Sequence, residues 1–327
     1  MMVLIGHAIS IFPQHFHPLW PQQAGVAIFF LLSGYLISQT LHRRLAATGS
    51  TFLDFAIDRW ARIYSGFLPA LIVVAALDYC ASNYSGFIAE TRERFTVIHF
   101  FENLFMLQAP DFALPFGSAA PFWTVAIEFW IYMFVGAVAF AFRDGIKPLG
   151  LFGIAIAGII PVSSLTDNNM VLMPWLLGAA VERVVYSKVL DGLPRLIVLS
   201  LGAIAIAVFA LMLRAGYSVY SASSYLCFAI AFTMIALAFR PQVVERGPLK
   251  NCITWWASWS YSLYLLHHSI LMLFGTAFGT SISPLWATGV SIVSAIAFAS
   301  LTEVHHKALA DYIKSLRSRG PYHLSKL

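Results

Sequence analysis

"LIVLSLGAIAIAVFALML", residues 196–213, carries no charged side chain and lies between Arg195 and Arg214. Eighteen helical residues rise about 27 Å, close to the ~30 Å hydrocarbon thickness of a bilayer. In hydrocarbon a lone segment must satisfy its own backbone hydrogen bonds, which a helix does and an open strand does not, so the stretch reads as a transmembrane helix. Leu149–Val162 repeats the pattern, and similar runs recur from one end of the chain to the other. Hydrophobic residues are 59% of the 327 and charged residues 11%, against about 25% charged in a soluble domain. These values exclude a soluble enzyme. No polar stretch is long enough to fold separately, so residues 1–327 form one membrane domain.

Apolar runs predict an all-α, polytopic transmembrane helix bundle with about ten spans: 1–12, 24–41, 63–80, 122–142, 149–162, 171–187, 195–213, 219–239, 256–278 and 285–304. With the N-terminus cytoplasmic, 17 of the 20 Lys and Arg fall inside, and only Arg92, Arg94 and Arg214 fall outside. That bias follows the positive-inside rule and predicts that both termini are cytoplasmic. Adding or removing one span would invert every later loop and destroy it. The longest outside connection, 81–121, holds Glu90, Glu93, Glu102, Asp111 and three prolines. A connection of that length is a candidate lid or acceptor platform, or a plain cap on the bundle.

Several classes are excluded. Cys80, Cys227 and Cys252 are far apart with no ligand spacing, so neither a disulfide framework nor a metal site is expected. The net charge of +5 comes from short clusters between apolar runs, a topology signal rather than a nucleic-acid surface. The first apolar segment lacks the basic lead-in and small-residue cleavage site of a secretory signal. No internal repeat is evident, which counts against an inverted-repeat transporter.

Four stretches and one histidine carry chemistry. "MMVLIGHAIS" puts His7 inside an apolar segment, where an imidazole is costly unless partnered or used. "GVAIFFLLSGYLIS", residues 25–38, sets the small Ser33 and Gly34 behind Phe29 and Phe30, which suits close helix approach. "DRWARIYSGFLPAL", residues 58–71, places Arg59 and Arg62 three apart, on one helix face, where two guanidinium groups can grip a polyanion or simply anchor the span. "PFWTVAIEFWIYMF", residues 121–134, brings Trp123, Thr124 and Glu128 into a span, and a carboxylate there needs a proton, a cation or a polar cavity. "SWSYSLYLLHHSIL", residues 258–271, steps Tyr261, Tyr264 and His267 along one face beside His268, a stripe fit to line a cavity or to bridge helices.

In this order and on these spans, the stretches resemble the acyltransferase 3 family of integral membrane acyltransferases. The likeness covers nearly the whole chain: a first-span histidine, FFxxSG in the second span, RxxR entering the third, W-T-x-x-x-E in the fourth and SYSLYLLH in a late one. It implies transfer of an acyl group, commonly acetyl, from cytoplasmic acyl-CoA to a hydroxyl of a carbohydrate or lipid-linked glycan in the cell envelope. The protein is then a multi-pass inner (plasma) membrane enzyme whose partners are acyl-CoA, that acceptor and lipids, with no tightly bound cofactor. By the resemblance His7 and Glu128 are catalytic, Arg59 and Arg62 bind acyl-CoA, and His267 matches the late-span histidine; Ser33, Trp123, Thr124 and Tyr264 are possible cavity-lining residues. The family usually carries a basic residue eleven positions before the histidine, which here would precede Met1; the expectation is a first span completed upstream or a truncated member. "EVHHKALADYIK", residues 303–314, lacks the acidic-x-Pro element of many relatives, and no role is carried over there.

Acyl transfer to an alcohol requires a base for the hydroxyl and stabilisation of the tetrahedral oxyanion. His7 is the expected base or acyl carrier, with Glu128 orienting the imidazole or stabilising its protonated form. The rival classes are a proton-coupled transporter or exporter of sugar-lipids, which also uses intramembrane His and Glu, and a non-catalytic scaffold. Acyl-CoA consumption separates the first from an acyltransferase, and thermal stability with and without coenzyme A separates the second.

Overall fold

The structure, a computed structural model, describes residues 1–12, 20–84, 89–165, 170–238 and 248–318. Among the described residues every regular element is helical. Each of the ten apolar runs is a helix: α1 (Met2–Ile11), α2 (Trp20–Ala46), α3 (Phe52–Ala81), α6 (Phe122–Asp144), α7 (Pro148–Ser163), α8 (Leu172–Ser187), α9 (Arg195–Arg214), α10 (Ala222–Ala238), α11 (Pro248–Phe278) and α12 (Pro284–Leu301). Two short helices, α4 (Ala89–Arg94) and α5 (Val97–Leu104), lie between α3 and α6, and α13 (His306–Ser318) follows α12. Of the basic residues counted for orientation, Arg240, Arg246, Arg319 and Lys326 lie outside the described residues, as do 85–88 of the long connection and the side chain of Glu90.

Five segments are long and apolar enough to cross a membrane: Pro21–Ala46, Phe52–Ala81, Phe122–Asp144, Arg195–Arg214 and Pro284–Arg317. The others fall short for physical reasons. Helices α1, α7 and α10 are apolar but 10 to 17 residues long, α8 has 16 residues and includes Glu182 and Arg183, and α11, with 31 residues, carries Tyr261, Ser262, Tyr264, His267 and His268. The protein is an all-helical membrane protein.

Local chemistry fixes the helix ends. Thr51 and Asp54 form a reciprocal capping box at the start of α3, with Asp54 N–H donating to Thr51 Oγ1 at 3.2 Å and Thr51 N–H to Asp54 Oδ2 at 3.3 Å, worth ~1 kcal/mol. Pro148 and Pro284 occupy first turns, where their missing N–H costs nothing. Helices α2, α3, α6 and α11 enclose the core, with Phe30, Phe67, Leu71, Phe122, Ile127 and Ile131 shielded from solvent. By contrast Leu149 of α7 and Leu196 of α9 are 82% and 77% exposed, which is apolar surface for lipid. Helices α2 and α8 cross at two glycines: a Cβ on Gly34 would strike the Trp175 carbonyl, and one on Gly178 the Leu31 carbonyl.

The 81–121 connection is inserted into the bundle rather than laid over it. Near its end the Ser118 N–H donates to Asp78 on α3 at 2.8 Å, yet earlier the Leu104 carbonyl accepts from Tyr64, fourteen residues back along α3, about 21 Å of helix. Irregular backbone at that depth must be buried in protein with its polar groups satisfied. Met106, Gln108 and Ala109 are buried, and Trp130 of α6 donates its indole N–H to the Met106 carbonyl at 2.8 Å. Asn103 closes the turn, giving its amide N–H groups to the His99 and Leu114 carbonyls at 2.8 and 3.0 Å and accepting from the Phe116 N–H at 3.1 Å.

Candidate active site

Three imidazoles meet where α1 packs on α11. A Cβ on Gly6 would collide with Gln22, so α1 lies close to α2 and brings the next residue, His7, inward. The His7 ring is half-buried, 5.3 Å from the His267 ring and 4.7 Å from the His268 ring, the second pair nearly perpendicular at 85°. Neighbouring residues of a helix point about 100° apart, so His7 touches both only by sitting in the wedge between them. His267 is 1% exposed, with Nδ1 2.9 Å from both the Leu263 and Tyr264 carbonyls. A carbonyl only accepts, so Nδ1 carries the proton and Nε2 is the bare nitrogen. That Nε2 is buried with no partner among the described residues. His268 is fixed in the same tautomer, its Nδ1–H donating to the Ser118 carbonyl at 2.5 Å.

Glu128 sits elsewhere in the core and is 6% exposed. Its Oε1 accepts from Ser33 at 3.2 Å and from the Tyr132 hydroxyl, and Ser33 and Tyr132 are themselves 2.9 Å apart. Among the described residues no hydrogen bond or ring contact joins Glu128 to His7. Its charged neighbours are instead Arg59 and Arg62, close enough to act on it electrostatically. Tyr132 follows Glu128 by four residues, one helical turn, which is the spacing that lets it reach back to the carboxylate.

The two arginines are not equivalent. Arg62 donates to Glu303 at 3.0 Å and lies 5.7 Å from the Tyr261 ring. Glu303 is 2% exposed, and its other oxygen takes the Ser262 N–H at 2.6 Å and the Ser262 hydroxyl at 2.5 Å. Among the described residues Arg59 makes no ion pair and its buried Nε has no hydrogen-bond partner; its guanidinium lies 6.0 Å from the Phe55 ring.

Thr124 and Tyr264 tie α6 to α11 with hydroxyls 2.5 Å apart, one donating to the other while the second hydroxyl gives its proton to the Pro121 carbonyl, which lies 2.9 Å from Thr124 and 3.2 Å from Tyr264. Tyr264 also stacks on Phe29 and touches His267. Trp123 faces the other way, into a pocket of about 460 Å³ bordered by Arg94, Pro110, Asp111 and Phe112. The nine sequence-derived residues thus divide into an imidazole group, a carboxylate group, an arginine pair and a bridging pair, with Trp123 outermost.

Three residues of these groups were not chosen from the sequence as site residues: His268, Tyr132 and Glu303. The first two carried the same signal as those chosen, a polar side chain in an apolar run. Glu303 lies 241 residues from Arg62, and nothing in the sequence links the two.

Fold and site together define an integral membrane protein that buries a polar, imidazole-rich site within its helix bundle. The chain belongs to the acyltransferase 3 family, whose model, an acyltransferase domain, matches residues 1–304. It is also similar to the O-acetyl transferase of Shigella phage Sf6, 29% identical over 183 residues that cover 53% of this chain and 52% of that protein. The match spans about half the length of that curated relative. No solved structure matches significantly.

Proposed function

We propose that the protein is a multi-pass O-acyltransferase that moves an acyl group, acetyl in the reading the phage relative supports, from acyl-CoA to a hydroxyl of a carbohydrate or lipid-linked glycan. The observation that carries this reading is the imidazole group around His7, set apart along the bundle from an arginine that has no ion pair among the described residues. In the proposed reaction His7 takes the hydroxyl proton as the oxygen attacks the thioester carbonyl, and the departing thiolate receives a proton when the C–S bond breaks. Arg59, which forms no salt bridge among the described residues, is the better phosphate ligand of the pair. Tyr261, beside Arg62, precedes His267 by six residues, about 9 Å of helix. A thioester arm entering on the arginine side therefore has a short path to the imidazoles.

We place α1–α3 and α6–α12 as ten crossings of the inner (plasma) membrane with both termini cytoplasmic, on the strength of the basic-residue bias. The arginines then lie on the donor side. The inserted 81–121 connection, which contacts the imidazole group through Ser118, lies on the acceptor side.

Replacing His7 tests the assignment. His7→Ala should lower transfer, per folded protein, by about 10²–10⁴, and His7→Gln should fare no better because an amide cannot take the proton. Transfer by His7→Gln near the wild-type rate, measured as acetylated glycan formed from labelled acetyl-CoA, would remove His7 from the chemistry.

A further inference from the structure

Asp78 is a carboxylate near the end of α3, 2% exposed, for which the mechanism above has no use. Its Oδ2 accepts the Ser118 N–H at 2.8 Å, and the carbonyl of the same Ser118 accepts His268 Nδ1–H at 2.5 Å. The preceding residue must be glycine, since Gly117 is left-handed (φ 52°) and a Cβ there would overlap the Asp78 carboxylate. Asp78, one loop residue and His268 thus form a continuous chain from α3 to α11, ending at a ring packed edge-on to that of His7 with the centroids 4.7 Å apart.

We propose that His268 is the positioning partner of His7 and that Asp78, through Ser118, holds it in place. This rests on the reading of His7 as the base. When His7 receives the hydroxyl proton it becomes an imidazolium with a second N–H in an apolar surrounding, and that N–H needs an acceptor. The Ser118 carbonyl keeps the proton of His268 on Nδ1, so its Nε2 lone pair accepts that bond; the bare Nε2 of His267 belongs to the farther ring, 5.3 Å against 4.7 Å from His7. The proton stays on His7 until the thiolate takes it, and His268 neither gains nor loses one. Glu128 is engaged by Ser33 and Tyr132 and lacks this geometry. Asp78 supplies the fixed anchor: without it the Ser118 N–H loses its partner, the loop end shifts and the carbonyl no longer selects the tautomer.

Purified protein in lipid nanodiscs, given labelled acetyl-CoA and an envelope glycan extract, provides the test, with kcat and the KM for acetyl-CoA measured separately. His268→Asn keeps an N–H where Nδ1 donates to Ser118 but removes Nε2. It should fold normally, leave the donor KM within about twofold and lower kcat by at least tenfold. Asp78→Ala should lower kcat similarly, and Asp78→Asn, which keeps an oxygen for the Ser118 N–H, should recover most of it. A His268→Asn enzyme with wild-type kcat would show that the ring only anchors the loop, and would overturn the proposal. So would an Asp78→Asn enzyme as impaired as Asp78→Ala. His7→Ala in the same assay separates the two levels: if it is fully active the base assignment fails, whereas if it is inactive and His268→Asn is normal only the present proposal fails.

Discussion

At the scale of single residues, the two arginines of the RxxR pair sit in different surroundings. Arg62 spends its charge on Glu303, whose other oxygen is already bound by Ser262. Removing it strands a buried carboxylate, a change that costs about 3–5 kcal/mol for a fully buried pair. Because Arg62 is 35% exposed, a smaller cost, on the order of 2 kcal/mol, is expected. Arg62→Ala should therefore lower the unfolding temperature in detergent, and the double variant Arg62→Ala/Glu303→Gln should restore much of it. Arg59→Ala should behave in the opposite way, leaving thermal stability near wild type while raising the KM for acyl-CoA severalfold, the loss of a charge-assisted phosphate contact. Equal destabilisation by both substitutions, with donor KM unchanged, would make both arginines structural.

At the scale of elements, glycines decide which helices touch. Gly34 and Gly178 meet the facing backbone of α8 and α2, so Gly34→Ala must push the helices apart and disturb Ser33, which bonds Glu128. Overpacking of this kind costs about 1–3 kcal/mol. Gly153→Ala on α7 is the control, since a methyl there meets open space; it should be neutral or stabilising by about 0.5–1 kcal/mol through helix propensity. Comparison of the two unfolding temperatures checks the α2–α8 crossing directly. The sequence made these helices legible, because hydropathy and length alone mark a segment that must be helical in lipid. It did not reveal the insertion of the 81–121 connection, whose helix α5 is only eight residues long and whose depth is set by single hydrogen bonds from Tyr64 and Trp130. The site was legible to the same degree. His7, Glu128 and the arginines announce themselves as polar groups in apolar runs, but their pairing is not written there. His268 is held by a backbone carbonyl, which every residue possesses and no sequence pattern marks.

At the scale of the whole molecule, the proposed reaction puts donor and acceptor on opposite sides of the membrane, so the orientation of the bundle decides whether that chemistry is feasible. Five segments are long and apolar enough to cross, whereas α1, α7, α8, α10 and α11 are shorter or more polar. Short helices can still cross where neighbours bury them or the bilayer thins, each at a modest cost. Buried residues on α8 and α10, Trp175 and Tyr225 among them, fit helices sheltered by protein. In the proposed topology charge then fixes direction, since Arg43, Arg44 and Arg143 lie in the last turns of α2 and α6 and Lys147 just past α6. Cysteine labelling of a variant with Cys80, Cys227 and Cys252 replaced by serine makes this measurable. A membrane-impermeant maleimide should label Thr96→Cys, before α5, and Gly216→Cys, after α9, in intact spheroplasts. Gly145→Cys, between α6 and α7, and Gly192→Cys, between α8 and α9, should react only after permeabilisation. If α7 and α8 failed to cross as a pair, Gly145→Cys and Gly192→Cys would still share a side, so the discriminating position is Leu165→Cys at the α7–α8 turn, which ten crossings require outside. Labelling of Leu165→Cys only in permeabilised cells, with Gly216→Cys still labelled from outside, would reduce the bundle to eight crossings while preserving the donor-side arginines.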